Sequence, residues 1–246
     1  AVRLPRRAAA AGLVRHEQRW LPVIAPTLPV RVPAPVRTGT PDLGFGWYWS
    51  VVPWFDGRHA IELARADTGQ LAAPLAAFVS SLHVPAPSDA PHNPYRGIPL
   101  ALRDEILRGR LPLLPQATRS RAEGVWVDAL DAPVWSAPPV WLHGDLHPGN
   151  IVVADDGTLA AVVDFGDLCS GDPAVDLAVA WYLFDPLARE RFVELVSAGH
   201  HGADDALWRR ARGWALSFST ALLTMSDDNP EYLALGERTL AAVLEG

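Results

Sequence analysis

The 246-residue chain reads as an α+β protein with two unequal lobes around a cleft. Three observations predict this. An aromatic and β-branched stretch, GWYWSVVPWFDG (residues 46–57), runs out at Pro53. The chain beyond it is dominated by patterns of helical period. Inside that helical part, IVVADDGTLAAVV (residues 151–163) has the alternation and the Asp-Asp-Gly turn of a β-hairpin, with polar residues at both ends. The predicted division places 1–53 in a smaller strand-rich lobe and 54–246 in a larger helical one.

In chain order, AVRLP predicts a short strand leading into a helix on which Leu13, Glu17, Trp20 and Leu21 recur at helical spacing. Pro22, Pro26, Pro29, Pro33 and Pro35 then predict an extended connection. A strand over the aromatic stretch follows, closed by a turn at Asp56-Gly57. Thr68 is positioned to cap the next helix, whose Leu71, Leu75, Phe78, Val79 and Leu82 form one apolar stripe. Pro91 to Pro99 predicts a loop, with helices near 100–110 and 120–130. VWLHGD is a short strand ending in a loop, then comes the hairpin, and helices fill the chain from Pro173 onward, one of them near 206–225.

Composition bounds the function. Hydrophobic residues make up 49% of the chain, enough for a substantial core, and no apolar run is long enough to span a membrane. A net charge of -7 argues against a nucleic-acid binder, which needs a basic face. The lone Cys169 cannot form an internal disulfide and reads as a small core filler, so the expected compartment is the cytoplasm. Oligomeric state leaves no mark in the sequence.

The chemistry concentrates in WLHGDLHPGN. His143-Gly144-Asp145 with Asn150 has the spacing H-x-D-x-x-x-x-N, and Asp164-Phe165-Gly166 follows at the far end of the hairpin. Phosphoryl transfer needs such a set: one carboxylate to orient and deprotonate a hydroxyl, and a carboxylate plus an amide oxygen to hold Mg²⁺. The hairpin accounts for the spacing, because folding back brings Asn150 and Asp164 side by side. A competing arrangement treats His143, Asp145 and His147 as an H-x-D-x-H ligand set of a metal-dependent hydrolase, but leaves Asp164-Phe165-Gly166 without a role.

HGDLHPGN together with DFGD and GDPAVDLAVAW resembles the aminoglycoside phosphotransferase family, the antibiotic-kinase branch of the protein-kinase-like fold. The resemblance covers nearly the whole chain and is most specific from Val140 to Trp181. It implies Asp145 as catalytic base, Asn150 and Asp164 as magnesium ligands, His143 as an anchor of the loop and Asp176 as its buried support. In the smaller lobe it implies Arg3 at the basic position that meets the nucleotide phosphates, Glu17 as its partner on the following helix, and backbone groups of Val52, Trp54 and Phe55 facing the purine. Pro53 has no N–H, so a donor must come from Trp54 or Phe55.

The implied donor is ATP or GTP with Mg²⁺, and the implied acceptor is a small hydroxylated molecule: an aminoglycoside, a macrolide, or a metabolite such as choline or homoserine. The resemblance also implies a strand–turn–strand ahead of Arg3, so residues are expected to be missing before position 1 and the smaller lobe to be partial. That expectation supports a second reading, a nucleotide or ligand sensor without turnover. Trp47, Trp49 and Trp54 are candidates to border a pocket. Asp185, Asp204, Asp205, Asp227, Asp228 and Glu231 lie where a cationic substrate would dock, though most read as ordinary helix ends. His147 reads as a loop histidine bonded to a neighbour, and His200-His201 as caps of helix carbonyls.

Overall fold

The structure is a computed structural model that describes residues 1–199, 203–226 and 228–245. His200, His201 and Asp227, singled out in the sequence, lie outside the described residues. The chain starts with strand β1 (Val2–Arg3), helix α1 (Ala8–Ile24), and strands β2 (Arg37–Gly39) and β3 (Trp49–Val51). β3 is the centre of an antiparallel sheet ordered β1-β3-β2, with Arg3 opposite Ser50. α1 buries Val14, Glu17, Leu21 and Ile24, a stripe at helical spacing. Gln18 ties it to the sheet, its Nε2 donating to the Trp49 carbonyl at 2.8 Å and to Ser50 Oγ at 3.1 Å.

The expected break at Pro22 does not occur, because the helix runs through it to Ile24. Leu21 and Ile24 anchor the last turn in the core, and this burial outweighs the one hydrogen bond that proline cannot donate.

The chain then crosses to a second sheet. β4 (Arg58–His59) pairs with β6 (Ile151–Val153), which pairs with β7 (Leu159–Val162), in the order β4-β6-β7. Gly57 makes the crossing possible: its φ is +141°, and a Cβ there would sit 2.3 Å from the Val153 carbonyl oxygen. The 151–163 hairpin therefore forms as its alternation predicts, and Arg31 reaches it through its carbonyl, which accepts from the Val162 N–H at 3.0 Å.

Helices α2 (Ala72–Leu82), α3 (Asp104–Arg110) and α4 (Gln116–Asp131) precede β5 (Val140–Leu142), which pairs with β8 (Cys169–Gly171). Leu71, Leu75, Phe78, Val79 and Leu82 are all buried, as the stripe predicts. Thr68 does not cap this helix. It is buried and donates its hydroxyl to the carbonyls of Arg65 and Leu183 at 2.7 and 2.9 Å, because a buried hydroxyl takes the acceptors its surroundings leave open.

The chain ends in α5 (Ala174–Leu177), α6 (Val179–Leu183), α7 (Pro186–Gly199), α8 (Asp205–Met225) and α9 (Pro230–Glu245). α8 is the central helix of this part, with Trp214 fully buried and Gly213 packed closely against Ala129 and Trp126 of α4. Arg210 of α8 grips buried Asp172 through two contacts of 2.7 and 3.3 Å, fixing the segment that carries Asp176. The architecture is the expected α+β one, with small sheets at the N-terminal end and in the hairpin and a larger helical assembly behind them. Among the described residues no helix is long and apolar enough to cross a membrane.

Candidate active site

The loop after β5 is held from beneath. Asp176 is fully buried; its Oδ2 accepts the His143 N–H at 2.8 Å and its Oδ1 the Gly144 N–H at 2.9 Å. His83 Nε2 lies 3.1 Å from Oδ2. Two successive backbone N–H groups on one carboxylate fix the direction in which the chain leaves β5. Gly144 has φ +84°, and a Cβ there would stand 2.4 Å from the Asp167 carbonyl oxygen, so glycine is required. Asp167 accepts from Asn93 Nδ2 at 2.7 Å.

His143 is committed at both ring nitrogens. Nδ1 accepts the Asp145 N–H at 3.2 Å, so Nε2 carries the proton and donates to the Val163 carbonyl at 2.9 Å. This overturns the H-x-D-x-H metal arrangement, because His143 has no lone pair left to offer. His147 Nδ1 is engaged too, accepting the Gly149 N–H at 3.0 Å. Among the described residues no group of three or more His, Cys, Asp or Glu is placed to hold a metal.

Asp145 therefore stands at the loop's turning point with its carboxylate toward Arg96 (3.4 Å) and His147 (3.5 Å). Burial works to raise its pKa, but His147, Arg96 and His143 outweigh it and hold the group at about 2. Asp145 is thus ionised throughout the neutral range.

Asn150 is buried at the start of the hairpin, and its Nδ2 donates to the Asp145 carbonyl at 2.8 Å, leaving Oδ1 as the end available to a ligand. Its backbone carbonyl accepts the Val163 N–H at 2.9 Å, so Asp164 follows directly across the ribbon. Asp164 has φ +58°, a left-handed turn that lifts its carboxylate off the strand. Its Oδ1 meets Arg3 Nη2 at 2.8 Å, and the same nitrogen meets Glu17 Oε1 at 2.6 Å. Gly166 leaves room for this junction, since a Cβ there would lie 3.1 Å from Arg3 Nη2.

Burial would weaken the charge on Arg3, yet Glu17 and Asp164 hold its pKa above the ordinary value. Burial pushes Glu17 up to about 7 against the opposing pull of Arg3. The donor chemistry fits magnesium: one amide oxygen and one carboxylate, both hard oxygen ligands, are what an ion shared with phosphates asks of a protein.

Among the cavities beside these groups, two concern the chemistry. One, of about 320 Å³, is lined by Arg3, Val52, Trp54, Phe55, Val152 and Asp164. Val52 cannot present its backbone there as expected. Its N–H donates to the Ala1 carbonyl at 2.9 Å and its carbonyl accepts from the Ala1 nitrogen at 2.7 Å, because strand pairing extends past β1 and β3. Among the described residues no backbone hydrogen bond engages Trp54 or Phe55. Trp47 and Trp49 lie away from this cavity: Trp47 stacks edge-on with Phe45, and Trp49 packs over Gly39.

The other cavity, of about 380 Å³, opens beside Asp145 and is lined by Arg96, His147, Tyr182, Phe218, Leu222 and Tyr232, among others. Sequence reasoning did not find Arg96, Tyr182, Phe218 or Tyr232. Arg96 sits in a proline-rich loop with no motif, and the other three share helical periodicity with true core positions. Of the acids in the helical region, Asp185 and Asp204 are helix ends, as most of that group were expected to be: they accept from the Ala188 and Leu207 N–H groups.

Comparison with known proteins agrees with this fold. The profile of the phosphotransferase enzyme family matches residues 1–214. An aminoglycoside 2'-phosphotransferase-IIIa solved with GDP superposes with a TM-score of 0.68 at 18% identity, over 99% of this chain and 85% of that one. A GDP and kanamycin complex of a similar enzyme gives 0.66 at 19% identity, over 98% of this chain and 85% of that one. Macrolide 2'-phosphotransferase MphH from Brachybacterium faecium gives 0.61 at 23% identity, over 98% and 83%. No curated protein matches the chain.

Proposed function

The chain belongs to the phosphotransferase enzyme family, and from that premise we propose that it moves the γ-phosphoryl group of ATP or GTP to a hydroxyl of a small molecule. The observation that carries this reading is one hairpin that sets Asn150, hydrogen-bonded to the Asp145 carbonyl, opposite Val163, the residue before Asp164. Similar structures solved with GDP, with ADP and with kanamycin support a nucleotide donor and a small-molecule acceptor. In this reading residues 1–53 form the nucleotide-binding lobe and 54–246 the catalytic and acceptor-binding lobe.

Asp145 accepts a hydrogen bond from the acceptor hydroxyl and aims its oxygen at the γ-phosphorus. At a pKa of about 2 it is too weak a base to ionise an alcohol beforehand. The proton passes to its carboxylate late, as the new oxygen–phosphorus bond makes the hydroxyl acidic. The bond between γ-phosphorus and the β-bridging oxygen breaks with its electron pair on the departing nucleoside diphosphate.

Asn150 Oδ1 and the Asp164 carboxylate would hold Mg²⁺, which when bound would neutralise charge on the phosphate oxygens. Arg3, steadied by Glu17, meets the phosphates nearer the nucleoside, and an N–H of Trp54 or Phe55 meets the base. His143 and Asp176 keep the Asp145 loop in place.

The test is Asp145→Asn, a nearly isosteric change that removes the proton acceptor. Acceptor-dependent release of nucleoside diphosphate is expected to fall by about a thousandfold or more, with nucleotide affinity within a few-fold of the starting protein. Unchanged turnover would reject the assignment. Nucleotide binding with no turnover on any hydroxylated compound, even in the unaltered protein, would favour the sensor.

A further inference from the structure

The cavity beside Asp145 restricts what the acceptor can be. Its walls are apolar or aromatic: Leu146, Tyr182, Phe218, Leu222, Tyr232 and Leu235. Among the described residues lining it, Asp145 is the one carboxylate, and Arg96 and His147 already flank it at 3.4 and 3.5 Å. Among the described residues that line it, an ammonium group entering here would meet no unpaired carboxylate; Glu231, whose charge is felt by Tyr232, is not part of the lining.

Aromatic faces could in principle seat a cation instead. The guanidinium of Arg96 lies over the Phe218 ring, 4.6 Å from its centroid, so that face is taken by the protein's own cation. The same positive charge opposes a second one nearby. A desolvated ammonium without a counter-charge is costly, whereas hydrocarbon surface gains from burial. Tyr182 adds one polar handle: its hydroxyl is buried with no hydrogen-bond partner among the described residues, so it can donate to an ether or carbonyl oxygen.

We propose that the acceptor is an uncharged hydroxyl compound with an apolar body, rather than a polycationic amino sugar. This rests on the phosphotransferase reading above and names the substrate class of the same site.

The experiment uses the full chain with Mg²⁺ and a nucleoside diphosphate, and three probes: 4-cyclohexylcyclohexanol, its 4′-amino derivative, and kanamycin. Binding is measured by calorimetry. The neutral alcohol is expected to bind at least about tenfold more tightly than its amino derivative, and more tightly than kanamycin. Arg96→Gln is expected to narrow the gap within the matched pair several-fold by removing the resident cation. Equal or tighter binding of either cationic probe overturns the proposal, as does failure of the neutral alcohol to bind at about 1 mM.

Binding order and turnover are read separately. A neutral preference without phosphorylation of any acceptor would uphold the pocket inference and sink the phosphotransferase reading. A cationic preference with turnover would do the reverse.

Discussion

Replacing Asp176 with Asn tests how the catalytic loop is held. The amide has the carboxylate's shape but one acceptor oxygen, while three donors converge on the site: the His143 and Gly144 N–H groups and the His83 ring. If the oxygen turns toward His143 and His83, the new NH₂ faces the Gly144 N–H, and the reverse orientation is worse. The better orientation loses one charge-assisted bond, worth about 1.5–3 kcal/mol, and leaves a buried donor unmet at a further cost of about 1–3 kcal/mol. The sum, about 2.5–6 kcal/mol, is a large part of the ~5–15 kcal/mol that keeps a domain folded. For a chain of this length it corresponds to a drop of about 5–24 °C in Tm. Urea unfolding should show the midpoint falling with the slope unchanged. Nucleotide-diphosphate release should decline more steeply than nucleotide affinity, because the loop carrying Asp145 loosens first. A stability loss under about 1 kcal/mol would refute the idea that this carboxylate sets the loop.

Three further outcomes are expected. Gly144→Ala should destabilise by about 2 kcal/mol or more, because it combines a positive φ with a Cβ 2.4 Å from the Asp167 carbonyl, and a thermal melt reads this directly. Glu17 keeps its proton in the folded state up to about pH 7 but loses it near its ordinary value of 4.5 when unfolded. Between those values the unfolded chain binds fewer protons, so this group's contribution to stability falls as pH rises, by up to about 1.4 kcal/mol per unit, and then levels off. Glu17→Gln should remove that slope in a series of urea titrations. Because Asp145 stays ionised down to about pH 2, the acid limb of turnover should not arise from it; a limb near pH 7 that disappears in Glu17→Gln would locate it at the Arg3–Glu17 pair.

The sequence made the hairpin and its polar ends legible because short-range rules govern them. The alternation over residues 151–163 and the Asp-Asp-Gly turn require only local chemistry, and they bring Asn150 to Val163 as the pattern demands. The apolar stripe of α2 was readable for the same reason. What stayed hidden depends on distant partners. Arg96 reaches Asp145 across 49 positions of sequence, and nothing local distinguishes it from a solvated loop arginine. Tyr182, Phe218 and Tyr232 have the spacing of core residues, and only the packing of α6, α8 and α9 opens a cavity between them. Val52 has both backbone groups consumed by Ala1, in a strand extension too short to leave a pattern. Pro22 and Thr68 show tertiary burial overriding good local signals.

The central claim is that Asn150 and Asp164, brought together by one hairpin, hold a divalent ion against a nucleotide. The most direct measurement uses Mn²⁺ as the probe, with electron paramagnetic resonance reporting how tightly the ion and ADP bind together. In the unaltered chain each should strengthen the other's binding by about tenfold or more, and Asn150→Ala or Asp164→Asn should each abolish that coupling. Coupling that persists unchanged in both variants would contradict the account.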